Sequence, residues 1–180
     1  AAGCRAITAT SSAGLSFMNE VLYVAASARL PIVLAVACRA LTGPININHD
    51  YSDSMAERDS GFIQIYAENN QEAYDNYLMA HRIGETPDVR LPVMICEDGF
   101  ITSHALENIE LEEDEAVKAF VGEYHPENYL LKHENPLAVG PYGTSPYYME
   151  ARVAQAEAMK NAKRAILDVA ADFEKTFGRK

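Results

Sequence analysis

Residues 31–62, PIVLAVACRALTGPININHDYSDSMAERDSGF, decide how the chain is read. The stretch opens on Pro31 and continues as an unbroken apolar run, Ile32 to Ala37. An apolar run without polar alternation predicts a strand buried on both faces, the kind found in parallel sheets. The run stops at Cys38-Arg39. A loop follows with Gly43, Pro44, Asn46, Asn48, His49 and Asp50, too polar and too broken to be core. Ligands of open α/β sheets sit beyond the carboxyl ends of the strands, which is where Arg39 falls. A guanidinium there can grip a carboxylate with two parallel hydrogen bonds. The alternative is an arginine that ties down its own loop through backbone carbonyls.

Strands and helices alternate on either side of this stretch. Arg5 to Ala9 is expected to be a strand, and Thr10-Ser11-Ser12-Ala13-Gly14 to open a helix running to about Arg29. Serines at that point cap free amide groups, and the same helix start can also receive an anion or a polar cofactor edge. Leu15, Met18, Leu22 and Ala25 make an apolar stripe. Phe17, Val21 and Val24 widen it, so most of the helix is expected to be buried. A third strand covers Gly61 to Ala67. Asn69 with Glu72 starts a helix over 70–84 in the manner of a capping box. Ala73, Tyr74, Tyr77, Leu78 and Ala80 line its apolar side, and His81 reads as a core or boundary histidine. Pro92 to Cys96 is a fourth buried strand, ending in Glu97-Asp98-Gly99-Phe100. Such alternation indicates βαβ units and a parallel sheet.

The character changes after residue 104. Glu107 to Glu115 is an acidic run expected to be solvated surface. The predicted organisation is an α/β domain over 1–121, an irregular connector over 122–146, and a helix over 147–180. Met159, Ile166, Val169, Phe173 and Phe177 recur at helical spacing in that helix. They predict packing on a neighbouring domain.

The length of 180 residues fits one domain, and 48% hydrophobic content supplies a core. A net charge of -11 argues against nucleic acid and against anionic membrane surfaces. No apolar run is long enough to span a bilayer, and no stretch reads as a signal peptide. Cys4, Cys38 and Cys96 lie far apart in apolar, strand-like contexts. They read as small buried hydrophobes in a reducing, cytoplasmic setting, with no disulfide, cluster or metal role. Asp50, Asp53 and Arg58 read as ligands or as an internal capping and salt-bridge set, with capping preferred. His49-Asp50 with Asp53 could imitate a metal site, but nothing else closes the ligand set. The sequence holds no GxSxG elbow, P-loop, GxGxxG, HExxH or CxxC. Residue reading alone therefore ends at an α/β domain with ligand-facing loops over Thr10–Gly14, Arg39–Asp53 and Asp98–His104. A chain starting AAGCRAITAT reads as a piece of a longer protein.

Five segments taken together go further: AGCRAITATSSAGLSFMNE, LPIVLAVACRALTGPINI, HDYSDSMAERDSGF, ENNQEAYDNYLMAHRI and LPVMICEDGFITSH. In one collinear order, through the PYYMEARVAQAEAMKNAK helix, the chain resembles the alpha subunits of the pyruvate:ferredoxin oxidoreductases. More broadly it is similar to the 2-oxoacid:ferredoxin oxidoreductases. The resemblance implies a thiamine-diphosphate-binding fold, specifically the domain that holds the aminopyrimidine ring, truncated at its N-terminus. It also implies oxidative decarboxylation of a 2-oxoacid with CoA to an acyl-CoA, carbon dioxide and reduced ferredoxin. Arg39, in Ala37-Cys38-Arg39-Ala40, matches the family's substrate-carboxylate arginine. Thr10, Ser11 and Ser12 are the expected cofactor-binding positions. The activating carboxylate and a substrate threonine would lie upstream of Ala1. Magnesium is expected on another domain or subunit, as are the Fe–S clusters. The beta, gamma and delta subunits and ferredoxin are the expected partners. Ala13 replaces the family's frequent Gln or Pro, and Tyr51 its frequent His, which bears on substrate preference. A sister enzyme for branched-chain 2-oxoacids or oxalate, a non-catalytic thiamine-fold scaffold and a stand-alone binding module are the alternatives.

Overall fold

The computed structural model describes residues 1–140 and 142–180. The elements in chain order are β1 Ile7–Thr10, α1 Ala13–Phe17, α2 Asn19–Ser27, β2 Val33–Cys38, α3 Ser52–Ala56, β3 Ile63–Ala67, α4 Asn70–Glu85, β4 Val93–Asp98, α5 Asp114–Val121 and α6 Tyr147–Phe177. The four strands form one parallel sheet in the order β1-β2-β4-β3. Val33 of β2 is in register with Ile7 of β1 and Val93 of β4, and Ile63 of β3 also pairs with Val93. All four carboxyl ends therefore reach one rim, with Cys38 beside Asp98 at its centre.

Alternation along the strands separates two cores. On one face Val33, Ile63, Val93 and Ile95 pack with Ala80 and Ile83 of α4 and with Ala158, Ala162, Ala165, Val169 and Phe173 of α6. On the other, Leu34, Val36, Cys38, Met94 and Cys96 pack with Leu15 of α1 and with Leu22 and Ala25 of α2. The two central strands are therefore covered on both sides, as their unbroken apolar runs require. The start of α4 is held as expected: the Asn69 side-chain oxygen accepts from Glu72 N at 2.9 Å, and the Glu72 carboxylate accepts in turn from Glu68 N. No helix among the described residues is long and apolar enough to cross a membrane.

Several expectations need correcting. The helix after β1 is two helices, broken at Met18, whose N–H reaches back only three residues to Leu15 O. Phe17, Val21 and Val24 are exposed, because α2 buries Leu22, Ala25 and Ala26 instead. Ser12 makes no side-chain cap on α1. Cys4 is exposed, since it precedes β1 and never enters the sheet, whereas Cys38 and Cys96 are buried as expected. The apolar stripe of α6, expected to face a neighbouring domain, packs into this domain's own core, against α4 and α2. Its contact surface runs through Ala158, Ala162 and Ala165, whose small side chains let the helix approach closely. Met159 stays partly exposed. The short α3 and the eight-residue α5 fall where loop and acidic surface were expected. Residues 122–140 and 142–146 form no helix or strand, and Pro141 of the expected connector lies outside the described residues.

Candidate functional site

The rim at the carboxyl ends of the strands gathers the segments that sequence reading marked. The loop after β1 carries Ser11 and Ser12, that after β2 carries Arg39 through Asp50, and that after β4 carries Gly99 through His104. The last two are forced close together. Gly99 N donates to Cys38 O at 2.8 Å, and a Cβ on Gly99 would lie 2.5 Å from that same oxygen. Only glycine fits there.

Arg39 directly follows the last residue of β2 and is half-buried. Its Nη1 is buried and has no hydrogen-bond partner among the described residues. Nη1 therefore does not tie the loop down. The loop is held from its backbone instead, by Ala40 N to Asn46 O at 3.1 Å and by Arg39 N to Asp53 Oδ2 at 3.2 Å. A buried guanidinium nitrogen without an acceptor costs about 1–3 kcal/mol or more, so an external acceptor has energy to gain there.

Asp53 sits beneath this arrangement with no solvent exposure. Its Oδ2 accepts from Ser12 N at 2.8 Å as well as from Arg39 N, and its Oδ1 accepts from Ser54 N at 2.7 Å. Ser12 is fully buried too, and its hydroxyl donates to Ala40 O at 2.7 Å. The polar atoms of Ser12 thus face inward and join two loops. Thr10 and Ser11 are half-buried, and Thr10 Oγ1 lies against Gly14, where a Cβ would come within 2.5 Å of it. The structure brings Thr10, Ser11, Ser12 and Arg39 to adjacent strand ends, since Thr10 pairs with Val36 and Arg39 leaves the same β2.

The rest of the polar loop resolves into local roles. Asp50 Oδ1 accepts from Ser52 N at 2.6 Å and leads into α3, and the Ser52 hydroxyl, followed by this amide, holds the Asp50 carboxyl below its usual range. Arg58 donates to Met55 O at 3.1 Å, so it serves its own turn. His49 pairs with neither Asp50 nor Asp53 but with Asp98, Nδ1 to Oδ2 at 2.6 Å. The opposite oxygen of Asp98 accepts from Phe100 N at 2.9 Å and from Ile101 N. Burial pushes the Asp98 carboxyl upward, but these two amides and His49 outweigh it and hold the group below its ordinary value. Beside this pair, His49, Tyr51, Met55, Tyr66, Ile101 and Thr102 line a cleft of about 480 Å³. The Tyr51 ring meets those of His49 and Tyr66 edge to face, at 5.2 Å between centroids in both cases. His81 is half-buried on α4, away from the rim, where burial lowers its pKa.

The roles of Asp53 and Asp98 as loop anchors escape sequence reading. Their partners lie up to 49 residues away, so no local spacing announces them. Asp98 carried one signal, an acid before glycine at a strand's end.

Comparison with known proteins adds the last observation. The family described as "Pyruvate flavodoxin/ferredoxin oxidoreductase, thiamine diP-bdg" matches residues 1–171. The chain is 56% identical over 180 residues to the pyruvate synthase subunit PorA of Thermotoga maritima, covering all of this chain and 46% of that protein. It is 49% identical over 180 residues to PorA of Methanocaldococcus jannaschii, with all of this chain and 46% of that protein covered. It is also 44% identical over 179 residues to the ketoisovalerate oxidoreductase subunit VorA of Pyrococcus abyssi, covering 99% of this chain and 45% of that protein. The chain thus spans less than half the length of these relatives. A match over nearly every described element, on a parallel sheet with its marked loops at one rim, identifies the chain as a member of the thiamine-diphosphate-binding family of pyruvate flavodoxin/ferredoxin oxidoreductases.

Proposed function

We propose that this chain is the substrate-gripping part of the alpha subunit of a pyruvate:ferredoxin oxidoreductase. The observation that carries the reading is Arg39, whose buried Nη1 lacks an acceptor among the described residues at the carboxyl end of a central strand, in a domain of a thiamine-dependent family. The overall reaction converts pyruvate, CoA and two oxidised ferredoxins to acetyl-CoA, carbon dioxide, two reduced ferredoxins and a proton. Thiamine diphosphate, when bound, supplies the nucleophilic carbon and the electron sink. Thr10 and Ser11 stand at the end of β1 as polar contacts for its edge, and Ser12 supports them from behind through its bonds to Asp53 and Ala40. Magnesium and the Fe–S clusters belong to other domains or subunits in this reading. The beta, gamma and delta subunits and ferredoxin complete the enzyme, in a reducing cytoplasm that suits the buried thiols Cys38 and Cys96.

Arg39 binds the 2-oxoacid by its carboxylate and so fixes the direction of the neighbouring carbonyl carbon. The carboxylate leaves as neutral carbon dioxide. An arginine that bound the ground state too tightly would therefore slow the step, and one half-buried guanidinium is a measured grip. The rim also has to exclude water from the reacting carbon, and the loops over 39–50 and 99–104 stand where they could cover it.

The 44% identity to a ketoisovalerate oxidoreductase subunit supports a second reading, a branched-chain 2-oxoacid as substrate. Turnover of pyruvate, 2-oxoisovalerate and oxalate by the assembled complex, with ferredoxin as acceptor, separates the two. Pyruvate is expected to have the highest kcat/KM. A higher value for 2-oxoisovalerate overturns the pyruvate assignment and keeps the 2-oxoacid grip, whereas turnover of none of them overturns both.

A further inference from the structure

We propose that Asp53 is a positioning residue that sets Arg39 and the Ser12 loop from one buried carboxylate, so that the grip on the substrate and the contact with the cofactor edge keep a fixed relation. The proposal rests on the 2-oxoacid reading of Arg39. Asp53 has no solvent exposure, and both its oxygens are used by backbone amides: Ser12 and Arg39 on Oδ2, Ser54 on Oδ1. No cation pairs with it among the described residues. A buried carboxylate costs several kcal/mol to desolvate, so one held by amides alone needs a reason to be there. The geometry supplies it. Three N–H groups converge on a point where only a group with acceptors on both atoms and no donor can satisfy them all. An amide in its place turns an NH₂ toward at least one of those N–H groups.

What Asp53 joins matters more than what it satisfies. Ser12 stands at the end of β1 and Arg39 at the end of β2, 27 positions apart in the chain, and one oxygen accepts from both. The Ser12 hydroxyl on Ala40 O, at 2.7 Å, is a second tie between the same two loops. Ser12 holds φ at 45°, a left-handed conformation that costs a non-glycine residue about 1 kcal/mol or more and persists only when its surroundings fix it. Among the described residues Arg39 has no tie from Nη1 that could correct a shift of its backbone. Releasing Asp53 therefore lets the guanidinium drift, and a misplacement of about 1 Å can cost about a hundredfold in rate.

The test uses the assembled multi-subunit enzyme with four alpha subunits: wild type, Asp53→Asn, Arg39→Ala and the double variant. KM and kcat for the 2-oxoacid are measured together with the apparent affinity for thiamine diphosphate. Asp53→Asn is expected to raise KM about tenfold and to weaken thiamine diphosphate binding in an assembled complex, while Arg39→Ala raises KM alone. In the double variant KM should match that of Arg39→Ala, because Asp53 acts through that side chain. The thiamine diphosphate defect should remain. An unchanged KM in Asp53→Asn, or effects that multiply in the double variant, overturns the proposal. An unchanged KM in Arg39→Ala overturns the carboxylate reading beneath it, a result distinguishable from failure of Asp53 alone. Should Asp53→Asn not assemble, Ser12→Ala removes only the second tie and is expected to raise KM in the same direction by a smaller factor. An unchanged KM there also overturns the proposal.

Discussion

Arg39 and Arg179 are both largely covered side chains, and their surroundings are opposite. Arg179, just past α6, makes two hydrogen bonds of 2.9 Å to Asp75 of α4, and its Nη1 lies 2.6 Å from Glu112. Its guanidinium also sits 5.6 Å from the Phe173 ring. The bonds to Asp75, and then to Glu112, outweigh burial and hold Arg179 more firmly charged than a free arginine. Nη1 of both arginines is buried without a well-directed hydrogen bond, but that of Arg179 lies against the Glu112 carboxylate, whereas Arg39 has no carboxylate partner among the described residues. One guanidinium closes a structure and the other is held ready for something outside it. The difference teaches where to look on a folded chain: an ion that the fold has satisfied serves the fold, and one left unsatisfied at a strand's end serves a ligand.

The comparison can be broken from the Arg179 side. Phe173 is buried beneath Arg179 and meets Phe120 at 5.4 Å and Phe177 at 4.8 Å between centroids. Phe173→Ala should cost about 3–5 kcal/mol of stability in denaturant unfolding. The active-site constants of whatever enzyme still assembles should not change. Arg179→Ala should cost about 2–3 kcal/mol, because it leaves Asp75 and Glu112 in partial burial without a cation. If Arg179→Ala raised the KM for a 2-oxoacid without lowering the melting temperature, the division of labour would be wrong.

A smaller effect sharpens the same contrast. Glu97 of β4 is half-buried, and burial raises its pKa. A carboxyl with a raised folded pKa disfavours folding once it is ionised, and the penalty grows as pH climbs from the unfolded value through the folded one. Glu97→Gln should therefore raise the melting temperature at pH 7, with a gain that shrinks toward pH 4. A gain independent of pH would mean that ionisation is not the cause.

Much of the fold was legible. The apolar runs of β2 and β4 read as buried strands because nothing polar interrupts them, and the chain placed Arg39 at a strand end before any coordinates did. The partner of α6 was not legible. Val169 and Phe173 do pack, but inside this domain, where Ala158, Ala162 and Ala165 continue the buried line of α6 against α4 and α2. Small side chains give a weak hydrophobic signal and a strong geometric one, and only geometry shows the second. Phe17, Val21 and Val24 erred the other way, since an apolar residue at the right spacing need not be covered. At the site, Arg39 was readable as an isolated cation. Asp53 was readable only as one of several acids, because its three donors come from Ser12, Arg39 and Ser54, and a hydrogen bond to a distant backbone amide leaves no trace in sequence.

The most direct test of the central claim is the kcat/KM for pyruvate of the assembled enzyme carrying Arg39→Ala, beside wild type. Loss of a paired charge-assisted contact, about 3 kcal/mol, predicts a fall of about a hundredfold, most of it in KM. An unchanged kcat/KM in a fully assembled, thiamine-loaded complex would contradict the account.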